Sequence, residues 1–339
     1  MVALRGWNAA ALALLLGACA SAPRAEVAER VAQVREERLR ADVEELCAMG
    51  PRPADDPAAV RRTLDWLHGR LAEMGLTAFE ERGTMQMLVA RVLEAGVDQG
   101  SIVLSNEPRE VVNLVVELPG ERRPWQVVEL GAHYDTTSRS PGADDNGSGV
   151  AALLEVARVL AGRPRERTVR LVFFGAEERG LLGSAMHARR QAERTAEWHV
   201  GAIVVDMIGF ALREPDTQRM PLRIPLLFDP PTTADFVFVA GNYHSGGIGN
   251  LFEDAADRYV PELEYYSVNR VAGWVSDGHR SDHASYWRAG LRAIQLGDSA
   301  DQRSPHYHRA SDTPETLDYR FLADVTRALV AATEHWASP

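Results

Sequence analysis

Short apolar runs that alternate along the chain with helical patterns constrain the fold more than any other feature of this sequence. The runs lack the strict apolar–polar alternation typical of a sheet with one face in water. Helical patterns lie between several of them, most clearly at 150–160 and 184–196, and a final amphipathic pattern covers 321–336. Strands of this kind predict an α/β fold: a mixed, mainly parallel central sheet with helices on both faces. The apolar runs are 111–118, 127–130, 169–174, 202–205, 236–240 and 293–296.

Length and composition are those of an ordinary globular protein. The chain has 339 residues, of which 45% are apolar and 25% charged, which is ample material for a core. No repeat or change in composition divides it, so we expect one domain over 46–339. The net charge of −11 disfavours a nucleic-acid partner. A Pro- and Arg-rich stretch at 212–235 is too long for an ordinary connection and predicts an insertion, which we interpret as a lid near the functional site.

The first twenty residues have the features of an export signal. Arg5 supplies a positive charge, and the apolar run 9–16 is too short to span a bilayer. The run ends in Leu16-Gly17-Ala18-Cys19, which resembles the lipobox of bacterial lipoproteins. The resemblance implies a signal peptide over 1–18 and a lipid anchor at the cysteine. Because Ala20 rather than Asp follows, it also implies the outer membrane, facing the periplasm; an ordinary signal peptide with a chance cysteine is the alternative.

The next segment connects this start to the folded body. Residues 19–45 are charge-rich, and we expect them to form the lipidated start, a linker and the beginning of the first helix. Cys47 has apolar neighbours at helical spacing, so we expect a buried thiol rather than a nucleophile. The clearest helix follows, with apolar residues at three- and four-residue steps from Val60 to Met74. The stretch Asp55-Asp56-Pro57 is expected to start it and Gly75 to cap its end.

Carboxylates and imidazoles follow nearly every apolar run in the middle of the chain. His133 and Asp135 end one run, Glu177 and Glu178 follow the next, and Asp206 comes directly after a third. Burying such groups without a partner is costly, and ligands of α/β sheets bind beyond the carboxyl ends of the strands. Each motif alone has a simpler explanation, such as a surface His-x-Asp or an acidic first helical turn. Together they predict a cation site, acid–base chemistry, or both.

Two further motifs extend this series. Asp144 and Asp145 precede the helix at 150–160; one of them can cap the helix, which leaves the other as a candidate ligand. In the Glu177-Glu178 pair, one carboxylate can bind a metal while its neighbour accepts a proton from water. Late in the chain, His306 and His308 compete for one further ligand position.

In this order the motifs resemble peptidase family M28, the co-catalytic zinc peptidases, from about Met49 to the C-terminus. The resemblance implies two zinc ions per chain, bridged by one carboxylate, with three protein ligands to each ion. It selects His308, because the stretch Tyr307 to Thr313 resembles the family's His-x-x-x-Asp-Thr. The implied ligands are His133, Asp145 and Asp206 for one ion, and Asp145, Glu178 and His308 for the other.

The resemblance also implies the remaining roles. Glu177 would be the general base, Asp135 would orient His133, and Tyr307 would stabilise the tetrahedral oxyanion. The peptide bond after Asp145 would be a non-proline cis bond. Asp282 and His283 match a segment near the substrate pocket and are expected to be structural rather than ligands.

The implied function is a zinc exopeptidase that acts on peptides, most directly an aminopeptidase. One alternative is a glutaminyl cyclase, a single-zinc acyltransferase that usually has Trp where this chain has Tyr307. Another is a non-catalytic peptide-binding relative, which would be expected to have lost ligands. Met207, Ile208 and Phe210 follow Asp206 and are candidates for an apolar substrate pocket, although core packing explains them equally well. The oligomeric state and the side-chain preference do not follow from the sequence.

Overall fold

The computed structural model describes residues 23–93, 101–219, 229–274 and 276–339. The predicted signal peptide, the lipobox and Cys19 lie outside the described residues. All elements discussed below belong to the described part of the chain.

An eight-stranded sheet forms the centre of the described chain. Its strands are β1 (Ala78–Leu93), β2 (Ser101–Leu118), β3 (Arg123–His133), β4 (Arg167–Phe174), β5 (Trp198–Val205), β6 (Phe236–Gly241), β7 (Glu264–Val268) and β8 (Ala293–Gly297). The strand order is β1-β2-β4-β3-β5-β8-β6-β7. The pairs β3–β4, β3–β5, β5–β8 and β6–β7 are parallel, whereas β1–β2, β2–β4 and β6–β8 are antiparallel. The predicted mixed, mainly parallel sheet is therefore confirmed.

Helices cover both faces of this sheet. They are α1 (Ala25–Val31), α2 (Glu36–Ala48), α3 (Pro57–Glu73), α4 (Gly149–Leu160), α5 (Leu182–Glu193), α6 (Gly246–Tyr259), α7 (His283–Arg288) and α8 (Tyr319–Ala337). Apolar residues of α1–α4, α6 and α8 join the core on one face, and α5 and α7 contribute to the core on the other. Alternate side chains of β2, β4 and β5 enter the two cores in turn. Because both sides of these strands are buried, the runs are continuously apolar.

The two edge strands were not predicted from the sequence. In β1, Glu80, Glu81 and Arg82 form a run of consecutive charged residues, and the strand pairs antiparallel with β2. The other edge strand, β7, has only five residues. An edge strand faces partly to solvent and carries more polar side chains, so neither strand produced the apolar run that identified the inner strands.

The N-terminal segment packs more tightly than the predicted linker. From Ala25 onward it forms α1 and α2, and Val27 and Val34 are fully buried in the main core. The helical part of the predicted 19–45 segment therefore begins by residue 25. Cys47 is buried as predicted, and burial raises its pKa to about 12.

The predicted start and end of the third helix are confirmed. The Asp56 side chain accepts hydrogen bonds from the amides of Ala58 (2.9 Å) and Ala59 (3.2 Å) at the start of α3. Gly75 follows the helix with φ 72°, a conformation in which glycine avoids the Cβ penalty of other residues.

The stretch predicted as an insertion lies beside the loops of the functional site. Its two arms are joined by hydrogen bonds from Leu212 N to Ala234 O (2.9 Å) and from Gln218 N to Thr232 O (2.8 Å). Arg219 N also donates to Gln302 O at 2.9 Å. Residues 220–228 lie outside the described residues, so the lid stays a prediction. Among the helices that the structure describes, none is long and apolar enough to cross a membrane.

Candidate metal centre

Three neighbouring parallel strands deliver the central side chains to one edge of the sheet. β3 ends at His133, β4 is followed by Glu177 and Glu178, and β5 is followed directly by Asp206. Since β4, β3 and β5 lie side by side and run in the same direction, their carboxyl ends meet. The candidate residues of the sequence pattern therefore lie together at the strand ends.

Asp145 lies between two histidines. Its Oδ1 is 3.3 Å from His133 Nε2, and its Oδ2 is 3.2 Å from His308 Nε2. His133 Nε2 is also 3.4 Å from Asp206 Oδ1, and His308 Nε2 is 3.1 Å from Glu178 Oε2. Each histidine therefore faces two carboxylates, and Asp145 is common to both sets. The peptide bond between Asp145 and Asn146 is cis, as expected.

Several polar atoms at this position are buried and lack a hydrogen-bond partner: His133 Nε2, Asp145 Oδ2 and Glu178 Oε1. Leaving such atoms unpaired is costly. The described residues contain two groups of ligand atoms, and within each group the atoms lie within 4.8 Å of one another: His133 with Glu177 and Asp206, and Asp145 with Glu178 and His308. Imidazole and carboxylate donors are the ligands of catalytic zinc. The residues present thus fit two zinc ions.

The protonation states also reflect a site that favours positive charge. Burial opposes the charge on His133, but Glu177, Asp145 and Asp206 surround its ring and raise its pKa well above the usual range. His308 is less buried; burial again opposes its charge, while Asp145 and Glu178 raise its pKa to about 10. The carboxylates therefore stabilise a positive charge at both histidines, and either a proton or a metal ion can supply that charge.

The carboxylates repel one another when no cation separates them. Burial raises the pKa of Glu177 well above its usual range; His133 opposes this, and Asp282 and Asp206 add to it. Burial likewise raises the pKa of Glu178 to about 7, with His308 opposing the rise. Two adjacent carboxyl groups held this way are candidates for proton transfer.

Asp135 holds the two glutamates by their backbone. Its Oδ1 accepts from the Glu177 amide at 3.0 Å, and its Oδ2 accepts from the Glu178 amide at 3.2 Å. His133 Nδ1 donates instead to the backbone carbonyl of Asp135 at 3.1 Å, while the nearest carboxylate oxygen is 3.8 Å away. The orientation of His133 thus comes from the main chain of Asp135, and Nε2 is the ring atom left facing the other carboxylates.

The late loop brings His308 into the site and leaves His306 outside. The His306 ring contacts Phe210 edge-on, and its Nδ1 lies 3.0 Å from Ser311 Oγ. An extended backbone would place Tyr307 on the opposite flank from His308, but His308 has φ 58°. The two rings instead stack with centroids 3.8 Å apart.

Two supporting residues were missed by the sequence reasoning. Arg52 is buried and donates to the carbonyls of Tyr134 (2.9 Å) and Gly142 (3.2 Å), which fixes the chain between His133 and the Asp145 turn. Asp298 accepts a hydrogen bond from the backbone amide of Phe210 at 3.2 Å, just beyond strand β5. Asp298 directly follows the buried strand β8, the same signal that identified Asp206, so the pattern was sufficient to find it.

Asp282 and His283 lie in the fully buried start of α7. His283 Nε2 is 2.8 Å from Gly278 O, and its ring meets Trp287 edge-on. Neither residue belongs to the two ligand groups found among the described residues. Burial raises the pKa of Asp282 to about 7.

A cavity of about 470 Å³ opens beside the ligand groups. Asp145, Glu177 and Asp206 form its polar end, and Tyr307 and Arg280 lie along its wall. Met207 also lines the cavity, whereas Ile208 is buried in the main core. The remaining wall is mostly apolar and includes Phe238, Ala240, Val268, Val271, Ala272 and Trp274.

Comparison with known families agrees with this geometry. The sequence profile described as peptidase family M28 matches residues 113–333, which is more than half of the chain. The chain belongs to peptidase family M28. The matched region begins in β2 and ends in α8, so it contains the proposed ligands of the metal centre.

Relatives and solved structures place the chain among diverse family members. The Escherichia coli protein YfbL is 33% identical over 218 residues, covering 60% of this chain and 65% of YfbL. The Bacillus subtilis aminopeptidase YwaD is 27% identical over 64% of this chain and 42% of its own length. The chain thus spans less than two thirds of these relatives.

Similar solved structures show the same fold. BSAP, a zinc aminopeptidase from Bacillus subtilis, superimposes with a TM-score of 0.70 and 17% identity, covering 90% of this chain and 96% of BSAP. A glutaminyl cyclase of Porphyromonas gingivalis gives a TM-score of 0.62 with 19% identity over 89% and 99%. Because the fold is common to both activities, the activity has to be argued from the site.

Proposed function

We propose that this chain is a zinc-dependent exopeptidase, most directly an aminopeptidase, that uses two zinc ions. The observation that carries the proposal is the position of Asp145, whose two carboxylate oxygens face His133 and His308 separately. One carboxylate that serves two imidazole–carboxylate sets is the arrangement that a bridged pair of metal ions requires.

The proposed ligands divide into two sets. His133, Asp145 and Asp206 would hold one ion, and Asp145, Glu178 and His308 would hold the other. Zinc bound there lowers the pKa of a water molecule and polarises the peptide carbonyl. Although Glu177 lies as close to His133 and Asp206 as a ligand does, we assign it another role because Asp145 already completes that set.

Glu177 is proposed as the general base. Its half-buried carboxyl group lines the cavity beside the proposed ligands, where it can accept a proton from the attacking water and pass it to the leaving amine. Asp135 fixes the backbone of both glutamates, so it positions Glu177 relative to its neighbour Glu178. Tyr307 lines the same cavity and is proposed to donate to the developing oxyanion.

Peptides are the proposed substrates. The largely apolar wall of the cavity suits an apolar side chain next to the scissile bond. The names of YwaD and BSAP support an aminopeptidase, and the glutaminyl cyclase fold neighbour makes the single-zinc acyltransferase the alternative to test. Tyr307, where cyclases usually have Trp, favours the peptidase.

Metal analysis combined with a substrate panel tests this proposal. Purified protein should bind two zinc ions and hydrolyse aminoacyl-nitroanilides, and an N-acetyl block should abolish that hydrolysis. Glu177→Gln should keep the zinc and lose most activity, because it removes only the proton acceptor, whereas Glu178→Ala should lose zinc. A single tightly bound zinc with cyclisation of N-terminal glutamine would show the alternative; equal zinc content in both variants would refute the division of roles.

We further propose that the protein is exported and anchored through a lipid on Cys19 at the outer membrane, facing the periplasm. The support is the lipobox resemblance of residues 16–19. Cys19→Ser should release the protein from the membrane fraction. One short apolar run does not anchor a protein as stably as two or more acyl chains do. Incorporation of radiolabelled palmitate into the wild type, and its absence in Cys19→Ser, gives the direct readout.

A further inference from the structure

One end of the sheet, opposite the candidate metal centre, gathers the start of the described chain and several loops. The parallel strands β3, β4, β5 and β8 all begin here. Arg24, at the start of the described chain, donates to Ser338 O at 2.8 Å beyond the end of α8. We call this end the basal face and define it by its exposed or half-buried residues Arg24, Arg122, Trp125, Arg163 and Trp198.

The basal face is positively charged although the chain is acidic. Two of its loops, 119–125 and 161–167, hold five arginines against two glutamates, in a chain with net charge −11. The loops are joined by hydrogen bonds from Glu121 N to Arg165 O (2.8 Å) and from Arg123 N to Glu166 O (2.7 Å). They therefore form one continuous basic surface.

The positive charges on this surface repel one another. Glu166 pairs with Arg123 and lies 3.4 Å from Arg122, so its carboxylate is already engaged. Arg122 and Arg163 are exposed, whereas Arg165 is buried and donates to the Leu160 carbonyl. Arginines that repel one another across a surface gain from an external anion.

Two tryptophans stand on the same face. Trp125 and Trp198 are 51% and 54% exposed, a large exposure for side chains that usually bury most of their surface. They lie at the starts of adjacent strands, where Gln126 pairs with Trp198. Exposed tryptophan beside arginine is typical of surfaces that contact the headgroup region of a membrane.

We propose that the basal face rests on an anionic phospholipid surface and turns the metal centre away from it. The inference rests on the proposed anchor at Cys19 for its geometry. Four residues separate Cys19 from Arg24, and a fully extended chain over these five steps reaches at most about 18 Å. An anchored chain must therefore hold this face close to the bilayer, where arginines attract acidic headgroups and the tryptophans enter the interface.

Fluorescence quenching in vesicles tests the contact. The full lipoprotein is reconstituted into vesicles of phosphatidylcholine brominated in its acyl chains, with or without phosphatidylglycerol. We expect quenching to increase with phosphatidylglycerol and the Trp125→Phe/Trp198→Phe double variant to lose most of it. Trp274→Phe is the matched control, because Trp274 is 79% exposed but lies at the cavity beside the metal centre. Equal losses in the two variants would overturn the proposal.

Charge reversal separates the basal face from the anchor. Arg122→Glu/Arg163→Glu should reduce the quenching to the level seen without phosphatidylglycerol, whereas Arg320→Glu, an exposed arginine at the other end of α8, should leave it unchanged. Flotation with neutral vesicles reports the lipid anchor, so a protein that fails to float shows that the anchor is wrong. If the anchor is wrong, flotation with phosphatidylglycerol vesicles that depends on Arg122 still supports contact between the basal face and the membrane. No flotation with phosphatidylglycerol vesicles refutes that contact. Peptidase activity, measured in detergent for each variant, keeps failure of the proposed function distinct.

Discussion

Asp312 accepts a hydrogen bond from the backbone amide of Asp145, which lies 167 residues earlier in the chain, at 3.2 Å. Its other carboxylate oxygen accepts from the amide of Asp144 at 2.9 Å. Both amides belong to the turn that presents the proposed bridging carboxylate. The loop that carries His308 therefore also fixes Asp145, so the two proposed ligands of one ion are positioned by the same segment.

Asp312→Asn should weaken metal binding without removing a ligand. The amide side chain can accept from one backbone N–H but would direct its own N–H toward the other, which loosens the turn. Loss of such a supporting contact typically costs about 10–100-fold in metal affinity. Competition with a zinc-sensitive chelator measures the change, and Asp318→Asn, which alters the cap of α8 instead, is the control. Unchanged zinc affinity in Asp312→Asn would contradict the positioning role.

His308→Ala should abolish activity and weaken one of two zinc sites, whereas His306→Ala should leave the zinc content intact. The reason is geometric: His308 Nε2 lies 3.1 Å from Glu178 and 3.2 Å from Asp145, while His306 is engaged by Ser311. Zinc titration followed by calorimetry distinguishes the two variants. A fully active His308→Ala enzyme would show that the late ligand is another residue.

Tyr307→Phe should lower kcat while leaving the zinc content unchanged. The ring stacks on His308 and lines the cavity, and burial raises the pKa of its hydroxyl, which keeps it a proton donor. Removing a main oxyanion donor costs about 2–4 kcal/mol in the barrier. Steady-state kinetics on one nitroanilide substrate, with KM and kcat separated, measures this. If kcat is unchanged, the oxyanion does not depend on Tyr307.

Three of the proposed ligands, His133, Glu178 and Asp206, were predictable because they lie at or just beyond the ends of strands that the sequence marks. Asp206 follows four apolar residues, and His133 ends a buried run, so a partner for each was required. The choice between Asp144 and Asp145 could not be made from local pattern alone, because both fit a helix start. It needed either the family resemblance or the structure, in which Asp144 Oδ1 turns away to the Gly209 amide at 2.8 Å.

The features that the sequence could not reveal depend on contacts between distant segments. Arg52 was missed because three of its four side-chain carbonyl partners lie more than eighty residues later in the chain. The stacking of Tyr307 on His308 depends on the left-handed backbone conformation of His308. No pattern of apolar residues in the sequence predicts that conformation.

A second buried polar cluster predicts a pH dependence of stability that is independent of the metal centre. His187 lies between Glu81 of β1 (Nδ1–Oε2 3.0 Å) and Glu129 of β3 (Nε2–Oε2 3.4 Å). Tyr286 of α7 also donates to Glu129, at 2.9 Å. Burial opposes the charge on His187, but Glu129 and Glu81 raise its pKa from 6.5 to about 9.

The free energy of unfolding should therefore fall as the pH rises from 6.5 to beyond 9. Because the pKa is higher in the folded protein, the contribution of His187 is complete below pH 6.5 and is lost as the pH rises through about 9. The pKa difference corresponds to about 3 kcal/mol. Urea unfolding of zinc-loaded protein across this range should show the loss in the wild type and a flatter profile in His187→Gln. His68→Gln, at a half-buried histidine on α3, should retain the wild-type slope; parallel profiles for wild type and His187→Gln would show that His187 is neutral in the folded protein.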